Sequence, residues 1–573
     1  MRMLAVGILA VLVAPATFAQ DTRTEDKVSG SSLIDKWIRS KWADAQVKPA
    51  ARTSDAEYMR RVYLDVAGVI PTLEEAESFL TDKSPNKREK LVDSLLKDER
   101  YADHWADIWS GVIVGFDKDQ KAQGMRNEGT HDFRDMLEKN IPYDEFARKV
   151  ITVEGWVPER YGPAMMKPGE KPEEDKKPVG LASYLVRQFR EAGKDFPKAV
   201  AGKLTRAFLG VQIQCAQCHD HPFDRWTQEE FYGMASFFTE VRVKRDPKDS
   251  EMRGYHVEDS VHGAVGKKLA GVGGPDLSIP DSKSGPIKPS FIDTKAGVES
   301  GVARRASYAK YVTSPDNLQF AKMCVNRYWS HFFGVGIVNP VDDFNGKNKP
   351  THPELLNELA KDFIDHKYDL HWLIRALAGS EAYALSSRSA AKERDLQAEN
   401  LYALARVRAL MPEQIMRSVI EAAHLDESPM MGMNPRDMKG AAGGKKKGGA
   451  RGEAAQALLM RLTAQFRTTF EDDEGGEAVE FAGTIPSALM MMNSQVIAAG
   501  TTAGKVNGFG EMLAKHGSAE AKVRAIFLSC VSRLPTPAEA SRWMAHCSKG
   551  AGTAGYEDLM WTLLNTSEFL FNH

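Results

Sequence analysis

Pro71-Thr72-Leu73-Glu74-Glu75-Ala76 reads as the opening of a helix. The Thr72 hydroxyl can cap the amide of Glu75, the Glu75 carboxylate can return to the amide of Thr72, and the run Leu73 to Leu80 follows at once. The same punctuation recurs near the other end of the chain. Tyr63-Leu64, Pro71-Thr72 and Glu75-Ala76 match Phe527-Leu528, Pro535-Thr536 and Glu539-Ala540 at one constant offset. Leu91-Val92-Asp93-Ser94-Leu95-Leu96 is then echoed by Leu559-Met560-Trp561-Thr562-Leu563-Leu564. An acid and an aromatic follow each copy, Glu99 with Tyr101 and Glu568 with Phe569. Two copies are too few for a solenoid, so both are expected to bury Leu95, Leu96, Leu563 and Leu564 against the rest of the chain.

Working outward, helical signals dominate. Ser84 and Pro85 start a helix through Leu91, Leu95 and Leu96. Tyr101 to Trp109 forms another, with Trp105 and Trp109 on one face and His104, between Asp103 and Asp107, on a face touching water. Asp195 caps a helix with Pro197 in its first turn and Val200, Leu204, Phe208 and Val211 at helical spacing. Thr227 and Glu230 make a further capping box before Phe231, Met234 and Phe238. Residues 156–179, rich in Pro, Lys and Glu, read as a surface connection. The expected fold is mainly α: two helical domains, 30–243 and 303–573, separated by a loop-rich insert, 244–302, containing a few short β-strands. The Gly- and Lys-rich segment 432–452 has nothing to bury and is expected to be disordered.

Residues 1–19 read as a signal peptide, with Arg2, an apolar core from Leu4 to Val13 and a small-x-small site at Thr17-Phe18-Ala19. That core is well short of the roughly 20 residues that span a bilayer. No transmembrane helix is expected after its removal, and the mature chain is expected to be periplasmic or extracellular. Hydrophobic residues make up 42% of the chain and the net charge is -2, which gives no electrostatic case for a nucleic-acid partner. Five cysteines do not make a disulfide scaffold.

Two of those cysteines carry the main chemical signal, Cys215-Ala216-Gln217-Cys218-His219. Two thiols in this spacing can form thioethers to one porphyrin while the following imidazole ligates its iron, so Cys215, Cys218 and His219 are the candidate haem c site. A Cys215–Cys218 disulfide or redox pair, a non-haem metal site and plain structural cysteines stand as alternatives. Cys324, Cys530 and Cys547 can form at most one disulfide among themselves. Met234, Met252, His256 and His262 are candidates for a sixth iron ligand, since each follows a helix or loop able to return to the motif. A second polar cluster is Asn326, Arg327, His331, Asp342, Asp343 and His352. Its paired acids near a His and an Arg suit acid/base work or cation binding, and equally suit turns and caps.

Several stretches carry a family resemblance. They are Arg61-Val62-Tyr63-Leu64-Asp65-Val66-Ala67-Gly68, the block Cys215 to Trp226, Ser314-Pro315-Asp316-Asn317, Asn326-Arg327-Tyr328-Trp329 and Asn339-Pro340-Val341-Asp342-Asp343-Phe344, with Ile485-Pro486 and Met492-Asn493-Ser494 later. Together they resemble a two-domain family abundant in planctomycetes, a cytochrome-like domain followed by a planctomycete-specific domain of unknown function. The resemblance implies little about activity, since the family's cytochrome label rests on the same C-x-x-C-H; the signal peptide and Cys215–His219 are read as an exported c-type haem protein acting in electron transfer or haem-dependent oxidation, with a redox or envelope partner. A haem-free envelope scaffold or binding protein with structural cysteines is the competing class. A hydrolase or polysaccharide-processing factor using Asp342 and Asp343 is a third.

Overall fold

The computed structural model describes residues 29–115, 120–159, 177–222, 224–247, 253–260, 277–280, 285–388, 395–425, 490–492, 495–503, 508–549 and 552–573. Segments 1–19 and 432–452, and the side chains Met252 and His262, lie outside these residues. Helices carry most of the described chain, and its few strands are short and antiparallel. Among the described residues, no helix is long and apolar enough to cross a membrane.

The largest sheet has three strands, with Gly254–Asp259 in the middle between Gly155–Pro158 and Val241–Arg245. Trp156 stands opposite His256, and Val243 opposite Val257. The stretch read as a surface connection therefore opens with a strand. Trp156 is 1% exposed and donates its indole N–H to Asp246 at 2.8 Å. The Pro- and Lys-rich composition further along obscured four residues whose local sequence, Gly-Trp-Val-Pro, suits a half-buried strand.

The helical unit is present twice, as its punctuation requires. Asp55–Val62 runs through a π-helical turn, Tyr63–Ala67, and stops at Gly68 with φ +68°. Ala519–Val531 stops at Ser532 with φ +57°. A Cβ on Gly68 would lie 2.3 Å from His104 Nδ1, so glycine is needed there for space as well as for conformation. After each left-handed residue a Pro-Thr pair leads into the next helix, Leu73–Thr81 or Pro537–Lys549. The Thr72 amide donates to Glu75 at 2.8 Å and the Thr536 amide to Glu539 at 2.7 Å, and each acid also holds an arginine, Arg100 or Arg533. Leu95, Leu96, Leu563 and Leu564 are all buried.

Three local readings change. The helix expected from Ser84 begins at Lys87, because Ser84 bonds the Asp82 carboxylate instead. Asp195 sits at the start of Phe196–Leu209 without capping it, its carboxylate being paired with Lys198 at 2.9 Å. His104 touches no water: it is fully buried between Gly68 and His331.

Helices from 30–243 and 303–573 pack directly on one another. Ser29–Ala45 lies on Pro353–Asp365 and Leu370–Ala378, Tyr143–Thr152 on Arg304–Val312, and Phe196–Leu209 on Leu318–Phe333. One apolar cluster runs from Ile34 to Phe569. The two copies of the unit also meet. Ala519–Val531 packs on Leu73–Thr81, and the buried Arg60 guanidinium donates to the carbonyls of Cys530 at 3.1 Å and Phe569 at 2.8 Å.

Ending the chain at residue 520 strips Phe527, Leu528, Leu559, Leu563 and Phe569 from the core, each worth about 1.5–3 kcal/mol of burial. It also leaves Arg60 without its acceptors. The truncated protein is expected to aggregate on size-exclusion chromatography, whereas a monodisperse product with unchanged thermal stability would show that the second copy contributes nothing to the core.

Candidate functional site

The helix Phe196–Leu209 delivers the chain to the Cys-x-x-Cys-His motif and stops at Gly210, φ +64°. The room a side chain would need there is taken by Met323 and the ring of Phe344, each 2.7 Å from an ideal Cβ. Val211 and Ile213 then turn inward, and Gln214–Gln217 forms a single 3₁₀ turn. Cys215 lies in that turn and Cys218 directly follows it, with Ala216 buried between them in sequence. Both thiols are exposed and unpaired. His219 is also exposed, and its Nδ1 donates to the carbonyl of Asp220 at 2.7 Å, which leaves the Nε2 lone pair available.

The loop that follows is tied back on itself. The Gln228 amide donates to the Asp220 carboxylate at 2.8 Å, the Gln228 side chain to the carbonyl of Gln217 at 3.0 Å, and the His221 amide to the carbonyl of Trp226 at 2.8 Å. Trp226 is buried, with Arg225 lying 4.4 Å over its ring and paired to Asp293. The capping box at Thr227 and Glu230 is formed. For haem c the donor set fits: two exposed thiols, and an imidazole whose N–H is committed to a carbonyl, as in most metal-ligating histidines. The rim of Asp220, Asp224 and Arg225 is polar, whereas a cytochrome buries most of its porphyrin edge in apolar contacts.

Two of the sixth-ligand candidates have other occupations. Met234 is fully buried, and its sulfur accepts the amide of Ile292 at 3.4 Å. His256 lies on the central strand of the sheet with its Nε2 3.0 Å from the Asp246 carboxylate. Met252 and His262 fall outside the described residues. Cys324, Cys530 and Cys547 are buried and unpaired.

The second-half cluster is spread along the packing rather than gathered into one site. Asn326 pins a loop, donating to the carbonyls of Val338 at 2.8 Å and Val341 at 3.0 Å and accepting the Val338 amide. Arg327 lies over Trp109 and donates to the carbonyl of Ala207 at 2.9 Å. Asp342, 3% exposed, binds Arg206 and accepts from Gln212 at 3.3 Å, while Asp343 accepts from Asn348 at 2.8 Å. His352 is buried with Nδ1 3.0 Å from Thr351 Oγ1. His331 Nε2 donates to the backbone carbonyl of Asp65 at 3.0 Å, with His104 Nε2 3.4 Å away. No group of three metal-binding side chains occurs among the described residues.

The Asp65 carboxylate is the polar centre that sequence reasoning passed over. It is 1% exposed and accepts from Arg408 at 2.7 and 2.9 Å, Tyr383 at 2.7 Å and Asn572 at 2.7 Å. The signal available was an aspartate inside the apolar run Tyr63-Leu64-Asp65-Val66-Ala67.

Burial pushes the imidazoles of His331 and His352 down to about 4 and holds that of His104 well below its ordinary range. These rings stay neutral in the folded protein while the unfolded chain takes up protons near pH 6.5. Stability is therefore fully present above pH 6.5 and is lost as pH falls from there towards 4, by up to about 3 kcal/mol for each of His331 and His352, with His104 acting in the same direction. The urea midpoint is expected to drop between pH 7.5 and pH 5.0; an unchanged midpoint would mean that the rings are already charged in the fold.

Residues 33–243 match the family described as PSCyt2, protein of unknown function (DUF1549), and residues 304–547 match the one described as PSD1, protein of unknown function (DUF1553). No curated protein and no solved structure matches the chain. The two matches adjoin the insert on either side, and the chain belongs to the family that joins an N-terminal cytochrome-like PSCyt2 domain to a C-terminal PSD1 domain of unknown function.

Proposed function

We propose that this chain is an exported c-type haem protein working in electron transfer or haem-dependent oxidation, with Cys215 and Cys218 as the attachment points and His219 as the proximal ligand. One contrast carries the reading. Cys324, Cys530 and Cys547 are buried, and burial raises all three thiols, which makes them inert. Cys215 and Cys218 are instead held in solvent in and directly after a 3₁₀ turn, next to an imidazole whose Nδ1 is committed to a carbonyl. A haem so attached supplies one-electron chemistry at its iron. The chain's own contribution is orientation: buried Ala216 and Trp226 anchor the loop from beneath, and Asp220 fixes the tautomer of His219.

The polar rim favours a second reading, in which Cys215 and Cys218 act as a dithiol without haem. Expression in a host with a working cytochrome c maturation system separates the two. A haem absorbance and peroxidase stain are expected to survive denaturation and reduction, to vanish in the Cys215→Ser/Cys218→Ser variant, and to shift in spectrum in His219→Ala. A colourless band from the competent host sinks the haem reading and leaves the dithiol.

A further inference from the structure

The last turn of a helix leaves carbonyls that its own backbone cannot satisfy. In the helix that delivers the motif, the partners for those groups come from the other half of the chain. The Ala207 carbonyl accepts from Arg327 at 2.9 Å, that of Leu209 from the Gln319 side chain at 2.7 Å, and that of Gly210 from the Phe344 amide at 2.7 Å. Asp342 completes the clamp by binding Arg206, in the last turn, and Gln212, just ahead of Cys215. Its carboxylate is nearly buried, and the helix end it faces is the negative end of the dipole. An acid is tolerated there because Arg206 lies against it and Gln212 donates to it.

We propose that Asp342 is a positioning residue for the Cys215–His219 motif: it fixes the path of the chain from Arg206 into the 3₁₀ turn, and so the presentation of both thiols and of His219. The Asn339–Phe344 stretch is thereby assigned to the motif across the domain boundary, in place of a separate acid/base site at Asp342 and Asp343. This inference rests on the reading of Cys215–His219 as the working part of the protein, and it does not require that the bound group be haem.

The test compares Asp342→Asn with Asp259→Asn in the full chain. Asp259 is similarly buried and paired with a buried arginine, Arg305, and so controls for simple loss of stability. In protein made without cytochrome maturation, the alkylation rates of Cys215 and Cys218 by iodoacetamide are read by peptide mass spectrometry. In protein from the competent host, the reduced visible spectrum and midpoint potential are read. Asp342→Asn is expected to change the Cys215 to Cys218 rate ratio by about threefold or more and to shift the spectrum, whereas Asp259→Asn lowers the melting temperature and moves neither. Equal effects of the two variants, or no effect of Asp342→Asn, would overturn the assignment. A shifted thiol ratio in a protein that never takes up haem would support the positioning role and sink the haem reading alone. Should Asp342→Asn fail to fold, Gln212→Ala removes one arm of the clamp and is expected to move the thiol ratio in the same sense; an unmoved ratio there overturns the assignment equally.

Discussion

A carboxylate at 1% exposure governs how this chain packs. Asp65 is held by Arg408, Tyr383 and Asn572, which reach it from three other parts of the chain, and its backbone carbonyl accepts from His331. Arg61 reinforces the arrangement, donating to the carbonyls of Tyr383 at 2.6 Å and Leu385 at 2.8 Å and pairing with Glu57 at 3.1 Å. Buried ion pairs of this kind add little over a well-packed apolar replacement. Separating them strands a charge, at about 3–5 kcal/mol. The constraint is one of specificity: an arrangement of the halves that leaves any of these donors elsewhere is penalised, so the two family domains and the last residues are locked into one packing.

The same constraint reaches the motif through a single rigid element. Leu318–Phe333 carries His331 near its end, where it meets Asp65, and carries Gln319 and Arg327 earlier, where they bind Leu209 and Ala207. Fixing one end of a helix in register fixes the rest at 1.5 Å per residue. The Ala207 and Leu209 carbonyls, at the end of the helix that leads to Cys215, are thus satisfied by a helix whose own position is set by the Asp65 cluster. This gives a physical reason for the PSCyt2 domain to be followed by PSD1 in one chain, because the first alone would present its motif on a helix end with open carbonyls.

What could be read from the sequence was what is local. The capping boxes at Thr72 and Thr227 and the repeated Pro-Thr pair are patterns of two to four residues, with backbone and side chain satisfying each other regardless of what packs around them. The failures share the opposite property. His104 between two aspartates has the composition of a wet face, yet it is buried between Gly68 and His331, the second of which approaches from 227 residues away. Asp342 and Asp343 look like a pair, yet neighbouring residues here face different partners, Arg206 and Asn348. Asp65 carries no local sign of its role, since its three side-chain partners lie more than 300 residues away.

Exposure of Cys215 and Cys218 runs against the habit of the residue, because free cysteine is among the most buried side chains and behaves as a small hydrophobe. This chain follows the habit three times, at Cys324, Cys530 and Cys547, so nothing general to the protein drives thiols outward. The exceptions are made by their neighbours. Val211, Ile213 and Ala216 take the inward positions on the approach and in the turn, and Trp226 closes the loop from below, which leaves the outward positions to Gln214, Cys215, Cys218 and His219. Burying either thiol would require turning out one of those apolar anchors and breaking the bonds from Gln228 that tie Gln217 and Asp220. The local sequence and the clamp from the second half act in the same direction: one orients the turn and the other fixes where it stands, and two thiols and an imidazole are presented together at the surface.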